Sequence, residues 1–63
     1  MVEIKFRTGN AAFHDNDGNE DEYYRNQEVA RILREIANKV ENYWDSGSIS
    51  DLNGNKIGEW RVR

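Results

Sequence analysis

His14 stands directly before Asp15 and is the single histidine of the chain. An imidazole oriented by a carboxylate is half of a general base, and it needs a hydroxyl or thiol within hydrogen-bond reach. No serine or cysteine close to it in sequence makes a convincing nucleophile, and a polar loop residue explains the pair more simply. The run Asp15-Asn16-Asp17-Gly18-Asn19-Glu20 offers oxygen donors in the manner of a calcium loop. An EF-hand loop requires donors at positions 1, 3 and 5, glycine at 6 and glutamate at 12. With Gly18 at position 6, Phe13 takes position 1 and Tyr24 position 12; with Asp15 at position 1, Glu20 displaces the glycine. Both registers fail, which leaves room only for a looser metal arrangement. A solvated turn that caps a helix accounts for the same residues. Asp51-Leu52-Asn53-Gly54-Asn55 has a similar composition and reads as a hairpin turn. Gly9 opens neither a dinucleotide fingerprint nor a Walker motif. No catalytic set, metal or cofactor is expected.

Chemistry of association is better represented. Asp15, Asp17, Glu20, Asp21 and Glu22 place five acids within eight residues, followed at once by Tyr23 and Tyr24. Clustered carboxylates can imitate a run of phosphates and speed encounter with a cationic cleft. Lys5, Arg7, Arg61 and Arg63 could share the outward face of a sheet, the arrangement by which some small modules hold single strands. There Glu3 and Glu59 are mixed in, and the aromatics Phe6 and Trp60 are expected to point inward, so an ordinary solvated face is the plainer explanation. Tyr43 and Trp44 form a second adjacent aromatic pair. Neighbours in sequence cannot all face one core, so at least one of each pair should be exposed, either as rim packing or as an interface anchor.

These residues need a scaffold, and 63 residues allow one domain. A chain of this size buries only about 60% of its unfolded surface. It has no cysteine for a disulfide and no Cys/His set for zinc, so its core stands alone or is completed by a second subunit. The absence of cysteine fits a reducing cytoplasm. No apolar run approaches the roughly 18 residues of a membrane span, and the alternating N-terminus lacks the apolar stretch of a signal peptide. Twelve acids against nine bases, a net charge of −3, argue against bulk affinity for nucleic acid. A soluble, cytoplasmic, membrane-free protein is expected.

The order of elements predicts an α+β domain, β-α-β-β. Val2, Ile4 and Phe6 alternate with Glu3, Lys5 and Arg7, giving a half-buried strand over about 2–7. A loop follows over about 8–19. Val29, Ile32, Leu33, Ile36, Val40 and Tyr43 recur at three and four, widened by Ala30, Ala37 and Trp44, and predict a helix from about 20 to 44. Arg31, Arg34, Glu35, Asn38, Lys39 and Glu41 fall largely on its other side. Asn19 with Glu22, or Asp17 with Glu20, suits a capping box, and Asp45-Ser46-Gly47 offers a glycine stop. Such a helix outruns a small sheet, so Tyr23 and Tyr24 should overhang. Asn53-Gly54 predicts a two-residue turn in a hairpin over about 48–63. That turn sets Ile49 opposite Gly58, on the side of Trp60 and Val62, and puts Leu52 and Ile57 on the other side. The imperfect parity predicts a bulge near Gly58 or a longer loop. If the first strand pairs with the last, the sheet is antiparallel with order 1-3-2, and one helix covers one face.

Three segments in this order, Thr8-Gly9-Asn10-Ala11-Ala12-Phe13, Ala30-Arg31-Ile32-Leu33-Arg34-Glu35-Ile36-Ala37 and Asp51-Leu52-Asn53-Gly54-Asn55-Lys56-Ile57-Gly58, give the chain its signature. Together they resemble a family of small phage and prophage proteins, over nearly the whole chain. The acidic insert Asp15 to Glu22 and the Tyr-Tyr pair are longer than the family's usual connection. No functional residue carries over from the resemblance. It implies origin in a mobile element, and small acidic proteins of that kind often bind a host or phage macromolecule, as inhibitors of restriction or CRISPR nucleases do. The leading expectation is therefore a non-enzymatic protein. It would bind a basic protein surface through Asp15, Asp17, Glu20, Asp21, Glu22, Tyr23 and Tyr24. Nucleic-acid binding through Lys5, Arg7, Arg61 and Arg63 is one alternative. A homo-oligomer packed through Tyr43 and Trp44 is another.

Overall fold

The alternation at the N-terminus becomes β1, Val2–Phe6, in a computed structural model that describes residues 1–9 and 22–62. The helix α1 spans Glu22–Glu41, and β2 (Ser46–Ser50) and β3 (Lys56–Val62) complete the domain. The sheet is antiparallel with strand order β1-β3-β2, so β3 is central and both its neighbours are edges. The helix lies on one face. Ile32 and Ile36 meet Ile49, Ile57 and Trp60, and Phe6, Val29 and Val62 pack around them.

The hairpin departs from the two-residue turn. Asp51 N–H donates to the Asn55 carbonyl at 3.0 Å and Gly54 N–H to the Asp51 carbonyl at 3.0 Å, which closes a three-residue loop, Leu52-Asn53-Gly54. Gly54 takes a φ of 83°, the left-handed position such a loop needs. The buried Asp51 carboxylate accepts the backbone N–H of Asn53 and of Asn55, each at 2.9 Å, and this local bonding draws Asp51 and Leu52 out of the ladder. The register then shifts between Ile49 and Ser50, with Ile57 as the extra residue. Loop and bulge cancel, so Ile49 still lies opposite Gly58. The bulge also carries Ile57 into the core, against the expectation that it would sit on the outer side. Leu52 is exposed.

Asp45-Ser46-Gly47 does not stop the helix. Trp44 N–H reaches the Lys39 carbonyl and Tyr43 N–H the Val40 carbonyl, both at 3.0 Å, with Tyr43 at a φ of 67°. That is a Schellman end with tyrosine in the place glycine usually fills. Gly47 instead belongs to β2, where a β-carbon would come within 2.9 Å of the Trp60 indole Nε1. The tyrosine ring is 94% exposed, so its packing offsets little of the left-handed strain. Tyr43→Gly is expected to raise stability by up to about 1 kcal/mol in urea unfolding, and an unchanged or lowered midpoint would contradict this reading.

Candidate functional site

The helix crosses the sheet with its first turns beyond the hairpin end. Twenty residues make about 30 Å of helix, whereas a five-residue strand covers roughly 17 Å. No residue from Glu22 to Gln27 is buried, and the first buried position is Glu28. Tyr23 and Tyr24 sit on this overhang, 65% and 45% exposed, with ring centroids 5.4 Å apart at 89°. An edge-to-face pair of this kind holds both rings in place without burying either. Glu22 stands beside them, in the first helical turn, and pairs with Arg25 at 3.6 Å. Asp15, Asp17, Glu20 and Asp21 lie outside the described residues, as do His14, Phe13 and Asn19, so neither capping box falls within them. Of the seven residues expected to bind a partner, the structure thus brings together Glu22, Tyr23 and Tyr24.

A buried carboxylate fixes this overhang to the sheet. Glu28 accepts from Arg31 Nε at 2.6 Å and Nη2 at 2.9 Å, and from Leu52 N–H at 3.0 Å. Arg31 also donates to the Ser50 carbonyl at 3.2 Å and pairs with Glu35 at 3.1 Å. The Glu28 hydrogen bond foremost, helped by the charges of Glu28 and Glu35 and opposed by burial, holds the Arg31 guanidinium above its ordinary value. It is therefore charged at every working pH. Arg31, assigned by the helical pattern to the polar side, is half-buried, and the pattern of apolar residues does not include Glu28. The signal was there, because Glu28, Ile32 and Ile36 are spaced by four and form the line that is buried. Leu33 and Val40, expected at the centre of the stripe, lie on its partly exposed flank.

The outer face of the sheet carries Lys5, Arg7 and Arg61, with Lys56 added and Arg63 outside the described residues. Arg61 pairs with Glu3 at 2.9 Å, and Glu59 lies opposite Lys5. Arg7 donates to the Lys56 carbonyl at 3.3 Å. Glu3, Lys5, Lys56, Glu59 and Arg61 line a shallow concavity of about 490 Å³, and Arg7 lies outside it. Among the described residues, the Phe6 and Trp60 side chains pack in the core, so neither offers the cations an aromatic platform. At the far end of the helix Trp44 is half-exposed, with the Lys39 ammonium 5.3 Å from its ring centre.

Among the described residues, no group of three or more His, Cys, Asp or Glu is placed to hold a metal ion, and no helix is long and apolar enough to cross a membrane. No protein-family model matches the chain, and no curated protein or solved structure matches it.

Proposed function

We propose that this protein is a non-enzymatic binding protein that docks the start of α1 on a basic surface of another protein. The observation that carries the reading is the exposed Tyr23–Tyr24 pair beside Glu22, on helical turns that project past the sheet. Tyrosines supply large contact area at low entropic cost, and they are enriched where interfaces concentrate their energy. The sequence adds Asp15, Asp17, Glu20 and Asp21 immediately before them. Glu22, in the first helical turn, meets the positive end of the helix dipole. The resemblance to small phage and prophage proteins suggests a host or phage macromolecule as the target, a defence nuclease being the sharpest case.

Affinity capture at low and high salt tests the proposal. The wild-type chain is compared with a variant carrying Asn or Gln at Asp15, Asp17, Glu20, Asp21 and Glu22. A basic protein retained by the wild type at low salt, and lost both at high salt and on neutralisation, is the expected result. Equal retention by both chains would end the proposal.

The concavity lined by Lys5, Lys56 and Arg61 supports the second reading, a nucleic-acid module. Glu3 and Glu59 within the same face weaken it. A low-salt gel-shift titration without retardation would dispose of it.

A further inference from the structure

The edge of β1 is apolar on one face, charged on the other, and patterned for its own copy. Arg7 N–H donates to the Ile57 carbonyl, so the alternation of an antiparallel ladder aims Glu3, Lys5 and Arg7 at β3. The N–H and C=O groups of Val2 and Ile4 therefore point to the outer edge. Their side chains share the helix-covered face, yet Val2 is 64% and Ile4 38% exposed. The helix leans the other way. Glu28 and Arg31 bond to Leu52 and Ser50, and Glu35 and Lys39 line a cleft with Ser48 and Ile49. At about 100° per residue, Leu33 and Val40 then lie on the flank toward β1, where both remain partly exposed. Among the described residues, Val2 and Ile4 form the floor, and Leu33 and Val40 one wall, of an apolar groove along the β1 edge.

We infer that two copies of this chain pair antiparallel through β1, with Ile4 opposite Ile4 of the second copy. Only registers that match outward-facing residues can form the ladder, and the charges choose among them. A shift one way sets Glu3 against Glu3, and the other way Lys5 against Lys5. The central register sets Glu3 of each copy against Lys5 of the other. One row then runs Arg61, Glu3, Lys5, Glu59 across four strands, alternating in sign throughout, because Arg61 already faces Glu3 and Glu59 already faces Lys5 within each copy. The two-fold axis stands perpendicular to the continuous sheet, so both helices lie on one face and the two grooves join. A sheet edge that would otherwise template indiscriminate pairing gains one closed partner.

Charge exchange tests this. Sedimentation of the wild type should show a concentration-dependent dimer. Glu3→Lys alone and Lys5→Glu alone should each dissociate about tenfold more readily, because two attractive cross-strand pairs become repulsive. Mixed in equal amounts, the two variants should associate again, since each Lys of one then faces a Glu of the other. Amide exchange of the wild type gives a readout that needs no variant. The Ile4 N–H should gain protection as concentration rises, while those of Glu3 and Lys5, already bonded to β3, should change little. A wild type that stays monomeric, single variants that dimerise like the wild type, a mixture that fails to associate, or an Ile4 amide indifferent to concentration would each overturn the inference.

Discussion

Gly58→Ala should leave the domain largely unfolded at 25 °C. Gly58 sits at the centre of the sheet, opposite Phe6 on β1 and Ile49 on β2, beside the bulge at Ile57. A β-carbon there would collide with the Lys5 carbonyl oxygen and come within 2.5 Å of Phe6 Cα and 2.6 Å of Phe6 Cβ. Two of these are backbone atoms, which cannot swing aside as a flexible side chain could. Overpacking a core costs about 1–3 kcal/mol, and a backbone collision belongs at or above the top of that range. A domain of 63 residues has a stability of roughly 3–9 kcal/mol. The loss therefore equals or exceeds the lower end of that stability. Circular dichroism and urea unfolding should show a collapsed midpoint or no cooperative transition. A wild-type midpoint would mean that β1 does not approach β3 this closely.

Glu28→Ala should cost about 2–3 kcal/mol, the second largest loss. The substitution strands the Leu52 N–H and removes the bidentate partner of Arg31. Arg31 is partly exposed and keeps Glu35 and the Ser50 carbonyl, which holds the loss below that of a fully buried pair. Glu28→Gln should cost less, because an amide oxygen still accepts the Leu52 N–H. In a double-mutant cycle with Arg31→Ala the losses should fall short of additive by about 1 kcal/mol or more. Strict additivity in urea unfolding would show that Glu28 and Arg31 do not act as one unit.

Much of the fold was legible because its signals are local. Alternation at Val2, Ile4 and Phe6, the three-and-four spacing of the helix, and Asn53-Gly54 each announce one element. Pairing of the first strand with the last gives the observed order β1-β3-β2. What escaped depended on contacts between elements or on small backbone choices. The Asp51 carboxylate lengthens the turn by one residue, and the bulge at Ile57 returns it, so two deviations cancel in the register and reappear only in which face Ile57 takes. Tyr43 ends the helix in a conformation that a propensity argument assigns to Gly47. Glu28 shares the i, i+4 line of Ile32 and Ile36, but the Leu52 N–H that satisfies it comes from the hairpin loop, far away in sequence. At the candidate site, the exposure and overhang of Tyr23 and Tyr24 followed from helix length against strand length.

Docking through the helix start is tested most directly by titrating the captured partner against the wild type and a Tyr23→Ala/Tyr24→Ala variant over a range of salt. The variant loses the edge-to-face contact, worth about 0.5–1.5 kcal/mol, so it should still unfold cooperatively, at a slightly lower midpoint. Its affinity should nevertheless fall at least about tenfold at every salt concentration, with the salt dependence kept because the carboxylates remain. Equal affinities for the two proteins would contradict the proposal.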